Sequence, residues 1–293
     1  MEELKGLGFV PSPDDKRDLL MTAFLPMVPI PSKFTYEERD LTPVRDQGAE
    51  GTCVGFATAV GVKEFQEKKE HGKEVYLSPR FIYQKCKERD GIPDQEGTYI
   101  RIALEVVKEF GVCEEVYWPY EAHRTGSPKP NAEENAKNHK IKAYARLFSQ
   151  NDPLDTRLDA IKRSIIVNGP LVAGVPVYRN WMTQEVYTTG KVPNIDNSSL
   201  VGGHAICIVG YDDETELFKF KNSWNTGWGD NGYGYLPYEY MSHSYTEAWS
   251  STDLIEDPDQ LIRSKEKVLE DFGVDYKDKP KEFKEFKTKI DYH

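Results

Sequence analysis

The sequence is poor in cysteine for its 293 residues, and the four it has, Cys53, Cys86, Cys113 and Cys207, form no C-x-x-C spacing. That argues against a zinc ribbon or a redox pair, and it is too sparse for the disulfide framework of a small secreted domain. No metal and no cofactor is expected. An unbroken apolar run is also missing near the N-terminus. The stretch "LLMTAFLPMVPIP" is interrupted by Pro26, Pro29 and Pro31, so it reads neither as a secretory core nor as a membrane span. Basic charge is in deficit: 38 Lys and Arg stand against 49 Asp and Glu, a net charge of -11. Such a surface repels phosphate backbones and anionic lipid, which excludes nucleic acid and membrane as expected partners. Together these absences lead us to expect a reducing, cytoplasmic setting. No feature of the sequence bears on oligomeric state.

What is present can build a large core. Apolar residues make up 38% and aromatics 12%, while 30% charged residues and a mean hydropathy of -0.65 imply solvated appendages. The length suits one large domain of two lobes or two modest domains. Residues 1–33 are Pro-rich and read as an extended arm lying on the surface. From Thr52, a plausible N-cap, the run Cys53, Val54, Phe56, Ala57, Ala59, Val60, Val62 and Phe65 is apolar around most of a helix. Lys63, Glu64, Glu67, Lys68, Lys69 and Glu70 then take over. The expectation is a helix buried in its first turns, with a tail in water. Further helices are expected from Pro79 to about Glu88 and from Tyr99 to about Phe110, the second stopped by Gly111. A polar connector, 121–140, marks a lobe boundary. Beyond it a helix starts at Asp152-Pro153, carries Leu154, Leu158, Ile161 and Ile165, and ends near Asn168-Gly169. "PLVAGVPVY", "HAICIVGY" and "ELFKFKNSW" then read as strands. After Trp249 the composition turns to Lys, Glu and Asp, with a helix expected from about Pro258 to Phe272 on an appended segment. Helices first and strands second predict an α+β architecture of two unlike lobes with a cleft between them.

Three residues draw chemical attention. Cys53 opens a buried helix. A hairpin turn centred on Asp213 would place His204 opposite Asn222, within reach of an imidazole–amide hydrogen bond. Each residue has a bland reading: Cys as packing, His as a satisfied strand residue, Asn as turn chemistry. Taken together they supply a thiol nucleophile, a base, and a residue to orient that base, as thiol acyl transfer requires.

On these segments the sequence resembles the papain-like cysteine peptidases, particularly prokaryotic-type members without a long propeptide. "LTPVRDQGAEGTCVGFA" resembles the stretch around the family's nucleophile, and "LSPRFIYQKC" and "GTYIRIALEVVKEFGVCEEVYWPY" resemble its next helices. "NGPLVAGVPVY", "GGHAICIVGY" and "KNSWNTGWGDNGYGYLP" resemble the later strands that carry the base and its orienting Asn. The resemblance covers roughly 34–252. It implies a two-lobed fold: a helical lobe over about 48–135, an antiparallel, β-barrel-like lobe over about 136–252, an arm over 1–33 and an extension over 253–293. It also implies a peptide or protein substrate, Cys53 as nucleophile with its thiolate stabilised by the helix dipole, His204 as base and acid, and Asn222 as orienter under the cover of Trp224. Gln47 would be an oxyanion donor together with the Cys53 N–H. Gly97 would contact substrate main chain, and Tyr99 and Ala205 would line the main specificity pocket.

Four departures from the family pattern stand out. Glu50 replaces a usual disulfide cysteine, leaving Cys86 without its partner, Val54 replaces Trp, Thr52 replaces Ser, and Asn225 replaces the Gly after Trp224. Two other functions remain open on the same scaffold, an inert homologue that binds through its cleft and an acyltransferase or amidase. The short arm implies either constitutive activity or control by its occupying the cleft.

Overall fold

The protein is described by a computed structural model, which covers residues 5–13, 15, 18, 20, 21, 29–72 and 74–252. The expected helix from Pro258 to Phe272 and its charged extension lie outside the described residues. The chain folds as α+β. Its helices run in the order α1 (Cys53–Phe56), α2 (Glu64–His71), α3 (Pro79–Lys87), α4 (Ile100–Glu109), α5 (Ala132–Ala136), α6 (Leu154–Asn168) and α7 (Gln184–Thr189). A π-helical stretch, Ala57–Lys63, joins α1 to α2 in one continuous rod. Local chemistry sets several of these boundaries. Ser78 caps α3 by accepting the Phe81 N–H, with Pro79 in the first turn. Beyond α4, Gly111 takes φ +84, a conformation that stops a helix and that glycine adopts without strain. The connector 121–140 carries α5.

Among the described residues seven strands form one antiparallel sheet: β1 (Lys33–Thr35), β2 (Ala143–Arg146), β3 (Leu171–Tyr178), β4 (Leu200–Asp212), β5 (Leu217–Lys221), β6 (Tyr233–Pro237) and β7 (Glu247–Thr252). Their order is β2-β7-β3-β4-β5-β6, with β1 added on β4. Among the described residues the sheet does not close on itself, which corrects the barrel-like expectation. The physical reason is that both faces find other partners. Along β4, Ala205, Cys207 and Val209 join a core with the α1 to α4 helices, while Ile206 and Ile208 join a second core with Ala160, Ile161 and Ile165 of α6. The period of two along the strand thus divides the molecule's two cores.

The tail of the first helical rod departs from expectation. Lys63, Glu64, Gln66 and Glu67 are buried rather than solvated. Lys63 pairs with Glu67 at 2.7 Å, and His139 approaches Glu67 at 3.1 Å. The Glu64 carboxylate takes the Arg45 guanidinium at 3.0 Å, the Leu77 N–H at 2.8 Å and the Thr42 hydroxyl. Charges at helical spacing read as a wet face in sequence, but partners distant in the chain allow them inside.

The rod lies hard against β4. A Cβ on Gly61 would sit 2.5 Å from the Cys207 Cβ and 2.8 Å from its sulfur, so only glycine permits this approach. Alanine normally gains about 1 kcal/mol over glycine inside a helix. Here we expect the sign to reverse, with Gly61→Ala losing about 1–3 kcal/mol through overpacking. Urea unfolding of the two proteins measures this, and an alanine variant as stable as the parent would contradict the packing argument.

Candidate active site

Cys53 is the first residue of α1, and β4 passes directly against it. Its sulfur accepts the Ala205 N–H at 3.3 Å, and Ala205 follows His204 on the strand. The His204 Nε2 bonds the Asn222 Oδ1 at 2.8 Å, while among the described residues its Nδ1 has no hydrogen-bond partner. The indole of Trp224 stacks on the imidazole with centroids 4.5 Å apart and planes at 26°. The structure therefore brings Cys53, His204, Asn222 and Trp224 together.

The route to the His204–Asn222 contact differs from the sequence argument. Asp212 pairs with Leu217 and Tyr211 with Phe218, so the turn is centred beyond Asp213, and the register shifts again between Ile208 and Gly210. His204 lies past the end of the paired stretch, which stops at Cys207 and Lys221. Asn222 reaches it by side chain from the end of β5 and not as a cross-strand partner. Glu216, at φ +55, lengthens the turn and shifts the register.

Gln47 is fully buried in a loop that pairs with the segment after Asn222. Its N–H donates to the Ser223 C=O at 2.8 Å, and the Ser223 hydroxyl donates to its Oε1 at 2.5 Å. That second bond orients the side-chain amide, whose Nε2 then donates to the Glu50 C=O at 2.9 Å and the Gly6 C=O at 3.0 Å. Ser223 was not singled out from the sequence; a hydroxyl beside the Asn was its only signal. Thr52 precedes α1, but its hydroxyl meets the Tyr120 hydroxyl at 2.8 Å and caps nothing. Asn225 has φ +59, a left-handed conformation that asparagine tolerates, which explains how it stands where glycine is usual. Val54 is buried beside Cys53. All four cysteines are free, Cys86 among them.

The Gly6 contact belongs to the N-terminal arm, which runs through the site. The Gly6 N–H donates to Gly48 C=O at 3.0 Å, the Phe9 N–H to Gly203 C=O at 3.0 Å, and Gly8 C=O accepts the Thr98 N–H at 2.9 Å. The Gly8 N–H is among the backbone groups that favour a charged Cys53 sulfur. Further along, the Ser12 hydroxyl and N–H both donate to the Glu247 carboxylate, at 2.8 and 3.2 Å. Glycine makes the fit possible: a Cβ on Gly8 would lie 1.8 Å from the Gly51 C=O oxygen, and one on Gly6 2.1 Å from that of Glu50. Across the cleft Gly97, at φ +90, leaves room for the arm, since a Cβ there would meet the Gly8 oxygen at 2.4 Å. The Phe9 ring fills a pocket floored by Gly174, where a Cβ would come within 2.2 Å of it, and packs edge-on to Tyr245 at 5.6 Å. Ala205 pairs with Gly174 in the sheet, and Tyr99 is half-buried at the start of α4. The "GLGF" run that threads the cleft was legible as glycine alternation, a signal the sequence reading passed over.

Covering the site changes its electrostatics. Cys53 and His204 are both fully buried. Burial pushes the Cys53 thiol up to about 11, although the N–H groups of Ala205, Gly8, Val54 and Cys53 itself pull the other way. Burial likewise lowers His204 to about 4 against the opposing bond from Asn222. In the covered site burial thus favours the neutral form of both groups, against the expected thiolate. The helix dipole acts, but loss of water outweighs it.

A family model described as papain family cysteine protease matches residues 30–250. An uncharacterized peptidase C1-like protein of Acanthamoeba polyphaga mimivirus is 33% identical over 260 residues, covering 81% of this chain and 83% of that one. Cathepsin K of Mus musculus is 29% identical over 242 residues, or 80% of this chain and 68% of its own. The crystal structure of xylellain, a cysteine protease from Xylella fastidiosa, superposes with a TM-score of 0.73 at 28% identity, covering 86% of this chain and 98% of that one.

The imidazole offers a direct check. NMR titration of the full-length chain should show His204 neutral down to about pH 4. The unfolded chain, with an ordinary histidine value of 6.5, binds the proton first. Stability should therefore fall by about 3 kcal/mol from this residue as pH drops through that interval. Trp224→Ala opens the ring to water and should raise its pKa toward 6.5. An unchanged titration would remove the role given to the indole.

Proposed function

The chain belongs to the papain family of cysteine proteases, and on that premise we propose that it hydrolyses peptide bonds through Cys53, His204 and Asn222 and is held latent by its N-terminal arm. The observation that carries this reading is the convergence on one covered point of the Cys53 sulfur, an imidazole fixed through Nε2, and the Gln47 amide. With the arm displaced, water reaches the pair and the thiol proton passes to the free His204 Nδ1. The sulfur attacks the substrate carbonyl carbon, and the resulting oxyanion takes hydrogen bonds from Gln47 Nε2 and the Cys53 N–H. Collapse breaks the C–N bond, and the imidazolium gives its proton to the leaving amine. Water, deprotonated by His204, then hydrolyses the thioester and restores the thiol. Asn222 keeps the ring oriented throughout, and Trp224 shields that bond from water.

The arm indicates how substrate lies. Its backbone pairing beside Gly97 supports main-chain contacts there, and the Phe9 pocket between Gly174 and Tyr245 suits a large apolar side chain next to Ala205. Four unpaired thiols suit a reducing compartment such as the cytoplasm.

A fluorogenic peptide library under reducing conditions tests the reading. Phe9→Ser, which empties the pocket that holds the arm, should raise kcat/KM at least about ten-fold over the parent, and Cys53→Ala in that background should abolish turnover. Deleting residues 1–30 should also raise activity, and unchanged kinetics there would refute control by the arm. Turnover that appears only when an amine is added would favour acyl transfer, and labelling of Cys53 without turnover would favour the inert homologue.

A further inference from the structure

The loop from Gln47 to Thr52 links the proposed oxyanion donor to the nucleophile, and one buried ion pair pins it. Arg80, in the first turn of α3 and wholly buried, grips the Glu50 carboxylate with both ends of its guanidinium, at 2.7 and 2.6 Å. Its Nη2 also donates to the Glu121 C=O at 2.8 Å, and the guanidinium lies over the Tyr120 ring at 4.7 Å. The His123 N–H adds a third bond to the Glu50 carboxylate at 2.8 Å. Glu50 faces the cleft with its other polar group, the backbone C=O that receives Gln47 Nε2 at 2.9 Å. Tyr120 closes the network: its hydroxyl donates to the Gln47 C=O at 2.7 Å, meets Thr52 Oγ1 at 2.8 Å, and stands 3.2 Å from the Glu50 carboxylate. Two segments distant in sequence, Arg80 and 120–123, thus hold both ends of one short loop.

We propose that Glu50, Arg80 and Tyr120 are positioning residues that fix the separation between Gln47 Nε2 and the Cys53 N–H, so that both meet the developing oxyanion. The proposal rests on the peptidase reading above. A planar bidentate pair resists rotation as well as stretching, which suits it to holding a donor in register. Misplacing such a donor by about 1 Å costs on the order of a hundred-fold in rate.

The test separates steps that form an oxyanion from one that does not. Alkylation by iodoacetamide makes a bond from sulfur to a saturated carbon as iodide leaves, and no oxyanion appears. In the full-length chain carrying Phe9→Ser, we expect Glu50→Gln and Arg80→Met to lower kcat for peptide hydrolysis about 10–100-fold, with KM and the Cys53 alkylation rate within about two-fold of that parent. Tyr120→Phe leaves the ion pair in place and should lower kcat by a smaller factor with the same split, so the idea remains testable if a charge-removing variant fails to fold. Glu50→Asp, which keeps the carboxylate, should recover part of the loss. The proposal is overturned if Tyr120→Phe keeps kcat within about two-fold of the parent, or if alkylation falls in step with hydrolysis. A parent that is alkylated but never hydrolyses peptide overturns the peptidase reading, and the proposal with it.

Discussion

The contact on which the site depends is the meeting of the Cys53 sulfur with the Ala205 N–H, where the start of a helix touches the middle of a sheet. It requires the helical rod to lie against β4 more closely than side chains usually permit, and Gly61 beside Cys207 allows that. The ionic groups beneath reinforce the same junction. Lys221, just before Asn222, reaches across to the Val60 C=O at 2.9 Å and the Thr42 hydroxyl at 3.1 Å, and burial lowers its pKa to about 8. Such groups are costly inside and endure only with full sets of partners. Removing those acceptors would leave the Lys221 ammonium stranded between the rod and the sheet.

The covered site also suggests how a potent nucleophile can be kept quiet without covalent change. A separated thiolate and imidazolium need water or fixed dipoles around them, and a dry site favours the neutral thiol and neutral imidazole. Moving the proton from sulfur to nitrogen leaves the net charge of the pair unchanged. On the proposed reading, opening the cleft therefore switches the chemistry on without net proton uptake, and the controlling variable is water and not bulk pH. The arm acts in two ways at once, by filling the cleft and by drying it.

Much of the fold was legible because its signals are local. The Ser78-Pro79 start of α3, the glycine stops after α4 and α6, and the two-residue alternation of β3 and β4 all act within a few residues of chain. The residues that meet at the site were legible for another reason: the order of Gln, Cys, His and Asn along the chain is itself informative. What escaped the sequence was long-range. The charged tail of the first rod looked wet because its partners Arg45, Thr42 and Leu77 come from earlier and later loops. The hairpin register slipped because Glu216 adds a left-handed residue to the turn. The burial that disfavours the expected thiolate comes partly from a segment more than forty residues upstream, which no reading of the helix alone could include.

The most direct measurement is the thiolate absorbance of Cys53 against pH, taken as the difference between the full-length chain and its Cys53→Ser variant, and repeated with Phe9→Ser in both. The account predicts no thiolate in the full-length chain until pH approaches about 11, and a thiolate at neutral pH once the arm is loosened. A thiolate at neutral pH with the arm in place, or none in either protein, would contradict it.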